Sequence, residues 1–125
     1  MNTNERQPAV AVLGAGPVGL AAAAHLVARG LTPLVFEAGP APGASLASYR
    51  HVRLFSPWQY DVDKAARHLL ERHGWTAPAE DVLPTAGELL DDYLAPLAAT
   101  PEIRYCARCD GEPSWIRPLA GRTAR

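Results

Sequence analysis

Val10-Ala11-Val12-Leu13-Gly14-Ala15-Gly16-Pro17-Val18-Gly19-Leu20 decides the fold of this 125-residue chain. Four apolar residues closed off by glycine read as a short parallel strand, buried on both faces. The glycines that follow are spaced G-x-G-x-x-G, and each has its own physical task. Gly14 permits a tight turn out of the strand. Gly16 has no side chain, so a pyrophosphate can approach the backbone. Gly19 lets the next helix lie close against the strand. That helix is predicted from Pro17 to Arg29: proline suits a first turn, Ala21 to Ala24 favour helix, and Gly30 supplies a stop. Its free N–H groups and dipole then hold phosphate charge next to Ala15, Gly16, Pro17 and Val18. Pro33-Leu34-Val35-Phe36 reads as a second buried strand. It ends at Glu37, where a carboxylate accepts both hydroxyls of an adenosine ribose and repels a 2′-phosphate.

Strand, glycine turn, helix, strand and terminal acid satisfy together the context that a bare GxGxxG lacks. The expected fold class is therefore α/β, a Rossmann-like βαβ domain for FAD or NAD(P) with a parallel but incomplete sheet. Residues 1–105 are assigned to it. The segment from Ala38 to Tyr60 is long and rich in Pro, Gly and Ser, so it is expected to be functional or to contain small elements of its own. Val52 to Phe55 is one candidate extended piece. Asp61 to His73 has the pattern of an amphipathic helix. Thr85-Ala86-Gly87-Glu88 forms a capping box ahead of an apolar pattern through Leu89, Leu90, Tyr93, Leu94 and Leu97, and Pro96 is expected to bend or shorten that helix. Ile103-Arg104-Tyr105 is the third strand candidate. Residues 106–125 show neither helical nor strand period and are read as an irregular tail, a composition that a shifted reading frame would produce.

Composition narrows the function classes. Apolar residues make up 48%, charged residues 20%, and the net charge is −1, which leaves no electrostatic footprint for nucleic acid or an anionic membrane. Pro8 to Val27 is nearly uncharged, but Gly14, Gly16, Pro17, Gly19 and His25 interrupt it, so neither a signal peptide nor a membrane span is expected. With only Cys106 and Cys109, a disulfide framework is excluded and the cytoplasm is the default compartment. One CxxC offers two ligands, so no metal site is expected.

Residues 8 to about 104 resemble the N-terminal part of two-dinucleotide-binding-domain flavoproteins, near the flavin-containing monooxygenase-like oxidoreductases. Val10 to Leu20 is similar to their FAD fingerprint, and Leu34-Val35-Phe36-Glu37-Ala38-Gly39 to their ribose-binding strand end. The 17 residues between Gly19 and Glu37 match that family's FAD spacing. Where the family has Gly-Gly-x-Trp, this chain has Gly43-Ala44-Ser45-Leu46, keeping one glycine and losing the tryptophan. His51-Val52-Arg53-Leu54-Phe55-Ser56-Pro57-Trp58 resembles the same class. The resemblance implies FAD as cofactor, NADPH as reductant of a longer parent, and oxidation of a small-molecule substrate whose identity it leaves open. The second glycine-rich unit, the late Gly-Asp motif and the FxGxxxHxxx-aromatic signature of complete members are missing. The chain by itself is accordingly expected to be inactive.

Three other readings stand beside this one. The chain is a non-catalytic dinucleotide-binding remnant of a truncated gene, or an NAD-dependent dehydrogenase fragment. Alternatively Cys106-Ala107-Arg108-Cys109-Asp110-Gly111, similar to the redox motif of thioredoxin reductases, exchanges electrons with a flavin. The last is weakened by Glu112-Pro113-Ser114-Trp115 and by the motif's early position. His25, His51, His68 and His73 are scattered, and Asp91-Asp92 reads as a solvated helix face. Trp58 and Tyr60 read as packing, Arg50 and Arg53 as exposed or reaching a pyrophosphate. No catalytic residue or oligomeric state is assigned.

Overall fold

Three strands pair in parallel in the computed structural model, which describes residues 8–108. The first βαβ unit runs from β1 (Ala9–Leu13) through α1 (Pro17–Ala28) to β2 (Thr32–Glu37). Val12 lies opposite Val35 and Leu13 opposite Phe36. On the far side of β2, β3 (Arg104–Ala107) places Tyr105 opposite Val35 and Ala107 opposite Glu37. The strand order is β1-β2-β3. The α/β Rossmann-like class and the helix starting at Pro17 are as expected. The helix ends one residue early, with Arg29 as C-cap and Gly30 at φ +75° to turn the chain.

β1 departs from expectation. The apolar run predicts a strand buried on both faces, but β1 is an edge strand with Val10 37% and Leu13 84% exposed. Among the described residues only β2 has hydrogen-bonded neighbours on both sides. Periodicity reads apolar character, and a strand's place in the sheet depends on partners that its own sequence does not name.

The core lies on the α1 side of the sheet. Leu20, Ala23 and Ala24 of α1 pack with Val35 and with a second, helical layer containing Leu69, Leu70, Tyr93, Leu94 and Leu97. The long segment after β2 contains two single-turn helices, α2 (Ala44–Ala47) and α3 (Trp58–Asp61). The extended piece around Arg53 survives as one antiparallel bridge to Thr85. α4 (Lys64–Glu71) is shorter than the Asp61 to His73 prediction because Asp63 stays extended and caps it, accepting from the Ala66 N–H at 3.0 Å. The same carboxylate meets His25 of α1 at 3.0 Å, and the Asp63 N–H donates to the Tyr93 hydroxyl. Asp63 therefore ties together three helical segments.

Thr85 and Glu88 form both halves of the capping box at α5 (Ala86–Leu89). Pro96 does not end the helix there. A π-helical turn over Leu90–Leu94 leads directly into α6 (Ala95–Ala98), with Pro96 in its first turn. Proline has no N–H to return to the carbonyl four residues back, Asp92. The Trp75 indole N–H fills that gap, donating to the Asp92 carbonyl at 2.7 Å. Among the described residues no helix is long and apolar enough to cross a membrane.

Candidate functional site

The glycine turn sits where β1 hands over to α1, at the carboxyl ends of the parallel strands. Gly14 has φ +99°, a conformation that an L side chain resists, and its N–H donates to the Phe36 carbonyl at 2.7 Å. Gly16 is the helix N-cap, with extended backbone, and a Cβ built on it would meet nothing within 4 Å. Its missing side chain therefore leaves a cradle open toward solvent rather than relieving a contact in the fold. Gly19 is the opposite case. A Cβ there would fall 2.0 Å from the Gly14 carbonyl oxygen and 3.6 Å from Val12 Cγ1. One glycine keeps room for a ligand and the other lets α1 seat on the turn.

The first bond inside α1 runs from the Leu20 N–H to the Gly16 carbonyl. The Val18 and Gly19 N–H groups precede it, so they belong to the unpaired first turn that attracts anions. Val18 and Pro17 are exposed beside them, and Ala15 is fully buried in the core.

Glu37 lies at the end of β2, and it does more than wait for a ligand. One carboxylate oxygen accepts the Ala15 N–H at 3.1 Å and the other the Gly39 N–H at 2.9 Å. The acid thus bonds directly to the glycine turn. Because Ala15 spends its N–H on Glu37, its contribution is to hold the turn, whereas Gly16, Val18 and Gly19 line the open side. A carboxylate offers about four acceptor positions, so two of them remain for hydroxyls.

Gly39 and Gly43 entered the sequence reading only through the flanking resemblance, not as site residues. The Gly43 N–H donates to the Ala15 carbonyl at 2.8 Å, with Gly43 at φ +64°. At Gly39 a Cβ would lie 2.5 Å from that of Ala44. The signal was present as Gly39-Pro40-Ala41-Pro42-Gly43: two glycines flanking prolines straight after the acid. The exit from β3 is pinned to the same loop, since the Arg108 N–H donates to the Gly39 carbonyl at 3.1 Å.

The other candidates lie elsewhere. Arg50 pairs with Asp91, and Arg53 donates to the Leu83 carbonyl. Trp58 is buried as packing, while Tyr60 is exposed. His25 meets Asp63 and His73 meets Glu102, both near the surface. Cys106 is disulfide-bonded. Cys109, the rest of the CxxC reading and most of the 106–125 tail lie outside the described residues. Among the described residues, no group of three or more His, Cys, Asp or Glu side chains is placed to hold a metal ion.

Residues 12–78 match the family model of the NAD(P)-binding Rossmann-like domain, a span that includes the glycine turn, Glu37 and the loop beyond it. The chain belongs to this family. No curated protein matches it. Among solved structures, this NAD(P)-binding Rossmann-like chain is similar to an oxidized steroid monooxygenase bound to NADP. There the TM-score is 0.57 and the identity 25%, over 78% of this chain and 19% of that one. Two others, at lower identity, share the fold. The bacillithiol disulfide reductase of Staphylococcus aureus has TM-score 0.55 and 19% identity over 82% of this chain and 28% of that one. OTEMO in complex with FAD and NADP has TM-score 0.55 and 22% identity over 82% and 19%. The chain therefore spans only 19–28% of the length of these neighbours, of which one is a disulfide reductase, one a monooxygenase bound to NADP and one a complex with FAD and NADP.

Proposed function

We propose that this chain is the FAD-binding part of a monooxygenase-like, FAD-dependent oxidoreductase, and that it grips the cofactor by its ADP half. The observation that carries the reading is the joint geometry of Gly16 and Glu37. An open cradle at the start of α1 stands beside a carboxylate that is already bonded to the same turn. A pyrophosphate at Gly16 would accept from the Val18 and Gly19 N–H groups. Glu37 would accept from the ribose hydroxyls with its remaining acceptor positions. When bound, the flavin supplies the redox chemistry, and the protein's part is to hold and orient it. NADPH is the reductant that fits such a parent protein, acting on a small organic substrate.

The matched family description favours a second reading, in which the same site takes NAD. The two share the ADP moiety. The 17-residue separation of Gly19 from Glu37 and the resemblance of the flanking residues support FAD. Calorimetric titration with FAD, NAD, ADP and 2′-phospho-ADP separates them. The proposal expects FAD and ADP to compete for one site, NAD to bind more weakly, and 2′-phospho-ADP to be rejected by the Glu37 charge. Tighter binding of NAD than of FAD would favour the dehydrogenase reading. No ADP affinity would remove both.

A further inference from the structure

Tyr105 stands in β3 opposite Val35, and Glu37 follows two residues further along β2, so both side chains share the α1 face of the sheet. The Tyr105 ring packs against the buried core. Its hydroxyl is cut off from solvent and has no hydrogen-bond partner among the described residues. Leaving such a group unpaired is costly, and buried orphans of this kind are few enough in folded proteins to need a reason. Burial raises the phenol's pKa, and the negative charge of Glu37 raises it further.

Glu37 has a conflict to resolve, given that the site reads a ribose as proposed above. Both carboxylate oxygens already accept loop N–H groups, from Ala15 and Gly39. Its two remaining acceptor positions point where those bonds fix them, so aiming them at two ribose hydroxyls turns the carboxylate and weakens at least one of those bonds. A donor on the neighbouring strand would hold the reoriented carboxylate. Among the described residues, the Tyr105 hydroxyl is a donor on that face without a partner.

We propose that Tyr105 is a positioning residue of the ribose site, whose hydroxyl takes up Glu37 when the carboxylate turns toward bound nucleotide. Without nucleotide the hydroxyl has no partner among the described residues, and nucleotide binding supplies one. Affinity for a ribose with both hydroxyls then includes the formation of this bond.

Tyr105→Phe keeps the ring and removes only the hydroxyl. Calorimetric titration of both proteins with ADP and with 2′-deoxy-ADP, together with thermal unfolding without ligand, tests the proposal. ADP affinity should fall roughly tenfold in the variant, in line with one hydrogen bond to a charged group. 2′-Deoxy-ADP affinity should fall much less, because it asks less of Glu37. The ligand-free melting temperature should stay level or rise, since an unpaired buried group has gone. Equal ADP affinity in the two proteins overturns the proposal. So does an equal loss for both nucleotides, or a lower melting temperature, each of which marks a purely structural hydroxyl. If the unaltered protein binds no ADP, the nucleotide site itself is refuted, and that outcome is distinct from the others.

Discussion

Gly16 and Gly19 sit three residues apart in one motif, and substituting them should fail in opposite ways. At Gly19 a Cβ would stand 2.0 Å from the Gly14 carbonyl oxygen, about 1.4 Å inside the 3.4 Å at which ordinary contact begins. Backbone rather than a flexible side chain is in the way, so α1 must lift off the turn. Forced overpacking of this kind costs roughly 1–3 kcal/mol. Replacing glycine by alanine in a helix returns about 0.5–1 kcal/mol of that. A net loss of about 1 kcal/mol lowers the melting temperature of a domain this size by roughly 4–8 °C. At Gly16 the backbone is extended, φ −85° and ψ −173°, and nothing lies within 4 Å of the added Cβ. Gly16→Val should therefore leave the melting temperature within a few degrees. Its branched side chain fills the pyrophosphate cradle, and losing two charge-assisted bonds of about 1.5–3 kcal/mol each reduces ADP affinity more than a hundredfold. Thermal unfolding by circular dichroism and calorimetric ADP titration of Gly19→Ala and Gly16→Val read both quantities. The reasoning is refuted if Gly19→Ala melts with the unaltered protein, or if Gly16→Val keeps its ADP affinity while folded.

Glu37→Ala should lose stability as well as affinity, because it frees the Ala15 and Gly39 N–H groups; a loss of about 1–3 kcal/mol in nucleotide binding, read by calorimetry, should accompany a lower melting temperature. For Asp63, burial pushes the carboxyl pKa up, but the Ala66 N–H and His25 outweigh it and the net pKa lies below 3.8. Its contribution is therefore present above pH 3.8 and lost as pH falls through the lowered value, and in Asp63→Asn the acid limb of a stability–pH profile should flatten. Burial pushes the Tyr93 hydroxyl up to about 12 from 10.0. Because the folded form resists ionisation, stability should drop as pH rises from 10 toward 12, and Tyr93→Phe should remove that drop in chemical denaturation. Trp75→Phe leaves the Asp92 carbonyl without its donor, which should cost about 0.5–1.5 kcal/mol in the same assay.

What the sequence made legible was whatever depends on short-range chemistry. Gly14, Gly16, Gly19 and Glu37 fall where the spacing put them, because turn, helix start and strand end are local events. Thr85 and Glu88 likewise announce their capping box within four residues. The misreadings share one cause. The exposure of Leu13, the partnership of Trp75 with Asp92, and the π-turn that accommodates Pro96 all depend on segments distant in sequence. The bond from Ala15 to Glu37 spans 22 residues and was not foreseen, although both residues were already in the candidate site. Asp63 illustrates the same limit: its pattern fits the interior of a predicted helix, but its side chain is worth more as a cap joined to His25.

If the turn at Gly14–Gly19 and the acid at Glu37 form one adenine-dinucleotide site, amide chemical-shift mapping by NMR during ADP titration will show it. Saturable shifts are expected at Gly16, Val18, Gly19 and Gly39, with the Ala15 amide moving as Glu37 reorients, and the pattern should be lost in Gly16→Val. Shifts centred elsewhere, or a titration that leaves these amides unmoved, would contradict it.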